Sequence, residues 1–163
     1  MVRRWVDAVR RNHALEHATV AVLLARRGPT RLAGRASADG FFIFGDIGVD
    51  ELRSCADEAL RRLQRGESSL AVSPLCGTNI AVAGFLAAAA ATSMVTIGAR
   101  KGRFPNAFTA AMLGVIAAQP VGRLVQKHLT TSPDLSAVEI AGVRAVVGGL
   151  KKVYTRPLAR AGE

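Results

Sequence analysis

The sequence predicts an α+β membrane protein, with a two-helix transmembrane hairpin inserted in a small domain of two β-hairpins and two amphipathic helices. Three observations carry this expectation. No charged residue occurs from Ile80 to Ala99, and after a short basic turn a second apolar run extends from Ala107 to Val121. The sequence on either side mixes helical periodicity with short alternating runs punctuated by turn residues. Half of the residues are hydrophobic but only 5% are aromatic, and much of the apolar content is Ala, Val and Leu in the middle of the chain, which favours membrane segments over a large globular core. The expected divisions are 1–77 for the N-terminal part of the domain, 78–129 for the hairpin, and 130–163 for a C-terminal β-hairpin that completes the domain.

The first periodic segment spans residues 3 to 27. At about 100° per residue, Val6, Val9, His13, Glu16, His17, Val20, Leu23 and Leu24 fall on one side, with Asp7, Arg11 and Ala14 opposite. Gly28-Pro29 ends this helix. From Arg31 to Ile47 the pattern changes to extended runs around the turn signal Ala38-Asp39-Gly40, with Phe41, Phe42, Ile43 and Phe44 favouring a strand. Asp50 is expected to cap or open a second helix running to about Leu63, with Leu52, Ala56, Ala59, Leu60 and Leu63 on its inner face.

Thr78 and Asn79 can cap the first membrane helix, whose 20 or so residues span about 30 Å. Arg100-Lys101-Gly102-Arg103-Phe104-Pro105-Asn106 reads as a polar turn, and the second run is expected to break at Gln119-Pro120. Ala and Gly along both runs permit close helix contact in a bilayer, and a homodimer through Gly84, Ala88 and Ala91 fits the same pattern. The tail alternates through Val138–Val146 and Leu150–Tyr154 about Gly148-Gly149, a second β-hairpin.

The net charge of +10 is spread along the chain, with twelve arginines before residue 66, three basic residues at 100–103 and seven after residue 122. Arginines flanking apolar segments sit among anionic lipid headgroups, and few aromatics are present to stack on bases, so the lipid bilayer is the expected partner and nucleic acid is not. Two cysteines, Cys55 and Cys76, make no disulfide framework. Charged residues interrupt the N-terminal apolar run that an export signal needs, so termini on the cytoplasmic side of a bacterial inner membrane are expected.

One compact motif carries candidate chemistry. His13-Ala14-Leu15-Glu16-His17 places two imidazoles one helical turn apart with a carboxylate beside them. In that order the histidines can ligate zinc while Glu16 serves as a general base, as in the inverzincin peptidases that the motif resembles. A polar network is the competing reading, with Glu16 accepting hydrogen bonds from the histidines, Arg10 or Arg27. A catalytic zinc needs a third protein ligand, for which Cys76 stands first because it precedes a helix start, with Glu58, Asp46 and His128 as alternatives.

Asn12-His13-Ala14-Leu15-Glu16-His17-Ala18-Thr19, Gly40-Phe41-Phe42-Ile43-Phe44-Gly45-Asp46 and Pro74-Leu75-Cys76-Gly77-Thr78-Asn79 together resemble a bacterial membrane family, domain of unknown function 6391. The resemblance covers most of the chain before the apolar hairpin and is weaker after it. It implies no activity, but it gathers His13, Glu16, His17, Cys76 and Asn79 into the segments that carry it. The functional expectation is a metal-binding integral membrane protein with zinc-dependent hydrolysis of a peptide or membrane-associated substrate. The alternative is a non-catalytic, partner-binding or assembly subunit of a larger complex.

Overall fold

The structure, a computed structural model, describes residues 2–97 and 103–158. Its elements run α1 (Val2–Arg27), β1 (Ala33–Ser37), β2 (Gly40–Phe44), α2 (Val49–Gln64), α3 (Gly77–Ile97), α4 (Arg103–Val125), β3 (Val138–Ala145) and β4 (Leu150–Pro157). A 3₁₀ turn at Ser68–Ala71 and a π-helical turn at Gln126–Thr130 flank the α3–α4 segment in sequence. The chain divides into two compact units, one of residues 1–73 with 127–163 and the other of residues 74–126.

The first unit is α+β. Its four strands form one antiparallel sheet in the order β1-β2-β4-β3. Both expected hairpins form at their glycine turns, where Gly40 has φ 142° and Gly148 and Gly149 have φ 55° and 84°, values that favour residues without a Cβ. In β2 and β4, Phe41, Ile43 and Val153 point inward, following the period of two. β3 starts with Val138 and Ile140 buried, and a bulge between Ile140 and Gly142 shifts the pairing by one residue, bringing Val143 opposite the inward Val153. Without that bulge the second half of β3 would present the wrong face.

Helix α1 packs on α2, β1 and β2, while α2 packs on β3 and β4. Leu15, Val22, Leu23, Phe41, Ile43, Leu52, Leu135 and Val153 form the heart of the core. The burial of α1 is broader than its amphipathic pattern predicts. Ala14, placed on the outer side by periodicity, is wholly buried, as are Leu15 and Ala18, whereas Val6 is exposed. The small Ala14 and Ala18 side chains let neighbouring segments close over the middle of the helix, so burial there follows position along the axis more than helical face.

Helix α2 opens at Val49 with Gly48 as its N-cap and no side-chain capping bond, so Asp50 lies in the first turn and contributes through the helix dipole. At the far end of α1, Arg27 grips the Glu51 carboxylate through Nε, at 2.6 Å, and through a second guanidinium N–H. Arg26 pairs with Glu58.

The second unit is a pair of helices. The expected basic turn lies partly outside the described residues, at 100–102, and Arg103–Asn106 open α4 where a turn was expected, with Pro105 in the first turn where it removes no helical hydrogen bond. Nor does α4 break at Gln119-Pro120: it runs through Pro120 to Val125. Close contact with α3 explains part of that continuity. A Cβ at Gly114 would lie 2.8 Å from the Leu86 carbonyl group, so the two backbones touch there, as small residues at a helix interface permit.

Near the other end, Asn79 accepts a hydrogen bond from Gln126 Nε2 at 2.8 Å and donates through Nδ2 to the Pro74 carbonyl at 3.0 Å. Asn79 is thus an interhelical polar link inside α3, where sequence placed it at the cap. Two segments, Gly77–Thr96 and Phe104–Thr130, are long and apolar enough to cross a membrane. Their large side chains are largely unburied, with Ile80, Phe85, Phe104, Phe108, Leu113 and Ile116 all exposed.

Candidate metal centre

The site is built on the middle of α1, which is held to the sheet by Asn12. Its Nδ2 donates to the carbonyls of Ser37, at 2.8 Å, and Ala38, at 3.2 Å, and its Oδ1 accepts from Thr155 Oγ1 at 2.7 Å. This buried residue fixes α1 against the β1–β2 turn and β4 at once, immediately before His13. Sequence singled it out only as part of a motif, because an asparagine satisfied by backbone carbonyls leaves no spacing signature.

His13 and His17 face each other one turn apart, with ring centroids 4.4 Å apart and planes inclined at 59°. Each is oriented by a backbone carbonyl. His13 donates Nδ1–H to Thr130 O at 3.0 Å, and His17 donates Nδ1–H to Ala71 O at 2.9 Å. A carbonyl only accepts, so both bonds require a hydrogen on Nδ1. An Nδ1–H held by a backbone carbonyl is the arrangement that orients a histidine toward a metal through Nε2.

Glu16 is buried on the same stretch of helix and lies against β1. A Cβ at Gly34 would come within 2.0 Å of Glu16 Oε1, so this glycine is the space in which the carboxylate sits. The arginines proposed for Glu16 from sequence are engaged elsewhere. Arg10 donates to the carbonyls of His128 and Thr131, and Arg27 is taken up by Glu51.

Cys76 is also buried, in the turn that leads into α3. Its sulfur accepts the Thr78 N–H at 3.4 Å and its carbonyl accepts the Asn79 N–H at 2.9 Å, as suits a residue just ahead of a helix start. The alternative third ligands lie in the first unit. Glu58 is paired with Arg26, while Asp46 and His128 are exposed. Among the described residues none of these three joins two other His, Cys, Asp or Glu side chains in a group able to hold an ion. Cys55, the second cysteine, is locked in the core, where burial pushes its thiol up and keeps it neutral.

Comparison with known proteins adds a family assignment. The profile described as "Domain of unknown function (DUF6391)" matches residues 8–143. The chain belongs to the DUF6391 family. A relative from Picosynechococcus sp., described as an uncharacterized protein, is 36% identical over 140 residues, covering 78% of this chain and 68% of the relative. No solved structure matches the chain. The match to the DUF6391 profile takes in α1 with His13, Glu16 and His17, the β1–β2 hairpin, the Cys76 turn and both apolar helices.

Proposed function

We propose that this DUF6391 protein is a zinc-binding integral membrane protein, in which His13, His17 and Cys76 are the protein ligands and α3 and α4 cross the bilayer. The observation that carries the reading is the paired orientation of the two histidines, whose Nδ1–H groups are both committed to backbone carbonyls while the rings face each other. Two imidazole nitrogens and one thiol sulfur make a donor set suited to zinc. Chain connectivity supports Cys76 as the third member. It lies five residues after Ala71, whose carbonyl holds His17, a span of at most roughly 17 Å of extended chain.

Membrane crossing is supported by the unburied apolar surfaces of α3 and α4, which in water would expose far more contiguous hydrophobic area than a soluble protein carries. A bacterial inner membrane with cytoplasmic termini and anionic headgroups near the arginines is the setting that the charge distribution favours.

Hydrolysis is the finer step of the same reading. Zinc supplies Lewis acidity when bound, and Glu16, buried beside both histidines on one helical turn, is the group positioned to hold or pass a proton. A peptide or membrane-associated molecule is the substrate class that fits this location. A second reading, a non-catalytic assembly subunit, is favoured by Gly84 on α3, where a Cβ would meet open space and a second helix has room to approach.

Cobalt substitution separates these readings. Thiolate-to-cobalt charge transfer in the purified protein, lost in Cys76→Ser, supports the ligand set; its absence from the wild type removes it. If Glu16→Gln retains the metal and loses turnover, Glu16 is the base. Metal without turnover in either form leaves a structural centre in an assembly protein.

A further inference from the structure

Among the described residues of the first unit, the sheet has one face on the core and one without a partner, and the unpartnered face is ordered in rows by its register. Ala33, Phe44, Leu150 and Val146 form one cross-strand row, joined by the Ala33–Phe44 and Phe44–Leu150 pairings and by the Val146 N–H bonded to Leu150 O at 2.8 Å. Arg35, Phe42, Lys152 and Arg144 form the next row along the strands. The first is apolar and the second is basic. Phe44 is 55% exposed, Val146 48%, and Val147 at the tip of the β3–β4 turn 78%.

We propose that this face docks on an anionic bilayer surface, with the Phe44–Val147 edge entering the headgroup boundary and Arg35 and Arg144 meeting lipid phosphates. Two residues along a strand rise about 7 Å, so the basic row lies about that far behind the apolar one. Interfacial segments bury their apolar side roughly 5–10 Å deep while the cations stay at phosphate level, which the spacing of these rows matches. Charge complementarity points the same way. Lys152 is partly neutralised by Asp39 and Arg156 by Glu139, but Arg35 and Arg144 have no acidic partner among the described residues.

An RNA strand is the competing anionic partner, and the aromatic rings argue against it. Bases would need the faces of Phe42 and Tyr154, yet the Lys152 ammonium already lies 4.7 Å from both ring centroids. The proposal also rests on the reading of α3 and α4 as membrane spans, since a tethered sheet meets the lipid surface at high effective concentration.

The test uses the full chain carrying Trp5→Phe and Val147→Trp, reconstituted in phosphatidylcholine vesicles with or without phosphatidylglycerol. In anionic vesicles the new indole is expected to emit at shorter wavelength and to be quenched by lipids brominated near the headgroup. Neutralising Arg35→Gln or Arg144→Gln should lower the docked-to-free ratio roughly fivefold for each arginine. An indole that stays open to aqueous iodide in anionic vesicles overturns the proposal. So does an indole unaffected by lipid whose environment responds to a poly(U) RNA strand through the same arginines, an outcome that assigns the face to nucleic acid. Resistance to alkaline extraction reports membrane crossing separately: integration with a water-exposed indole sinks the docking alone, and extraction with a lipid-quenched indole sinks the crossing alone.

Discussion

Replacing Gly34 by alanine tests the packing that holds Glu16 in place. The added methyl carbon would stand 2.0 Å from Glu16 Oε1 and 2.6 Å from its Cδ, about 1.4 Å short of ordinary contact, which begins near 3.4 Å. An exposed glutamate would swing away at little cost, but Glu16 is only 7% exposed, so its carboxylate must displace packed neighbours to make room. Overpacking of this kind costs about 1–3 kcal/mol, while losing a glycine returns about 0.4–1 kcal/mol through the unfolded chain. The expected net loss for Gly34→Ala is therefore roughly 1–2 kcal/mol. In a Glu16→Ala background the clash disappears, and the same substitution should become neutral or slightly stabilising. Denaturant unfolding in detergent micelles, followed by circular dichroism across the double-mutant cycle, measures the coupling. Equal effects of Gly34→Ala in both backgrounds would refute the claim that this glycine exists to accommodate the carboxylate.

Other substitutions probe other parts of the fold. Gly114→Ala places a Cβ 2.8 Å from the backbone of Leu86, which cannot rotate aside, so the α3–α4 pair should lose about 1–3 kcal/mol and melt at lower temperature in micelles. Phe41→Ala, at the centre of the core, should cost about 3–5 kcal/mol by denaturant unfolding. Asp39 accepts hydrogen bonds from Lys152 and Ser37, which together hold its carboxyl below the usual aspartate range. Its contribution is therefore present above the ordinary aspartate pKa and lost as pH falls through the lowered folded-state value. Asp39→Asn should remove no more than about 1 kcal/mol at neutral pH and nothing in strong acid, because the Asp39 carboxylate is largely solvated although Lys152 is not.

Much of the first unit is legible in the residues themselves. Turn chemistry at Asp39-Gly40 and Gly148-Gly149 marks both hairpins, and the inner face of α2 follows its apolar period. What sequence hides is long-range closure. Ala14 is polar-side by periodicity and buried in fact, because contacts from several elements converge on the middle of α1. The continuation of α4 through Pro120 is also set by packing: the proline removes one donor, but contact with α3 supports the helix on both sides.

At the candidate site, the i, i+4 spacing of His13 and His17 announces that the rings meet. Their carbonyl partners, Thr130 and Ala71, stand 117 and 54 residues away, and any residue type could supply them, so nothing in the sequence marks those positions. The pocket that Gly34 makes for Glu16 is hidden for a similar reason: a glycine in an edge strand reads as a weak strand former until the carboxylate packed against it is seen.

Metal analysis of the purified protein decides whether His13, His17 and Cys76 hold zinc. The paired histidines and Cys76 predict close to one zinc per chain, lost in His13→Ala and in His17→Ala with the circular dichroism of the protein retained. Wild-type protein that stays metal-free after equilibration with zinc, or zinc that persists undiminished in the His13→Ala and His17→Ala variants, would contradict it.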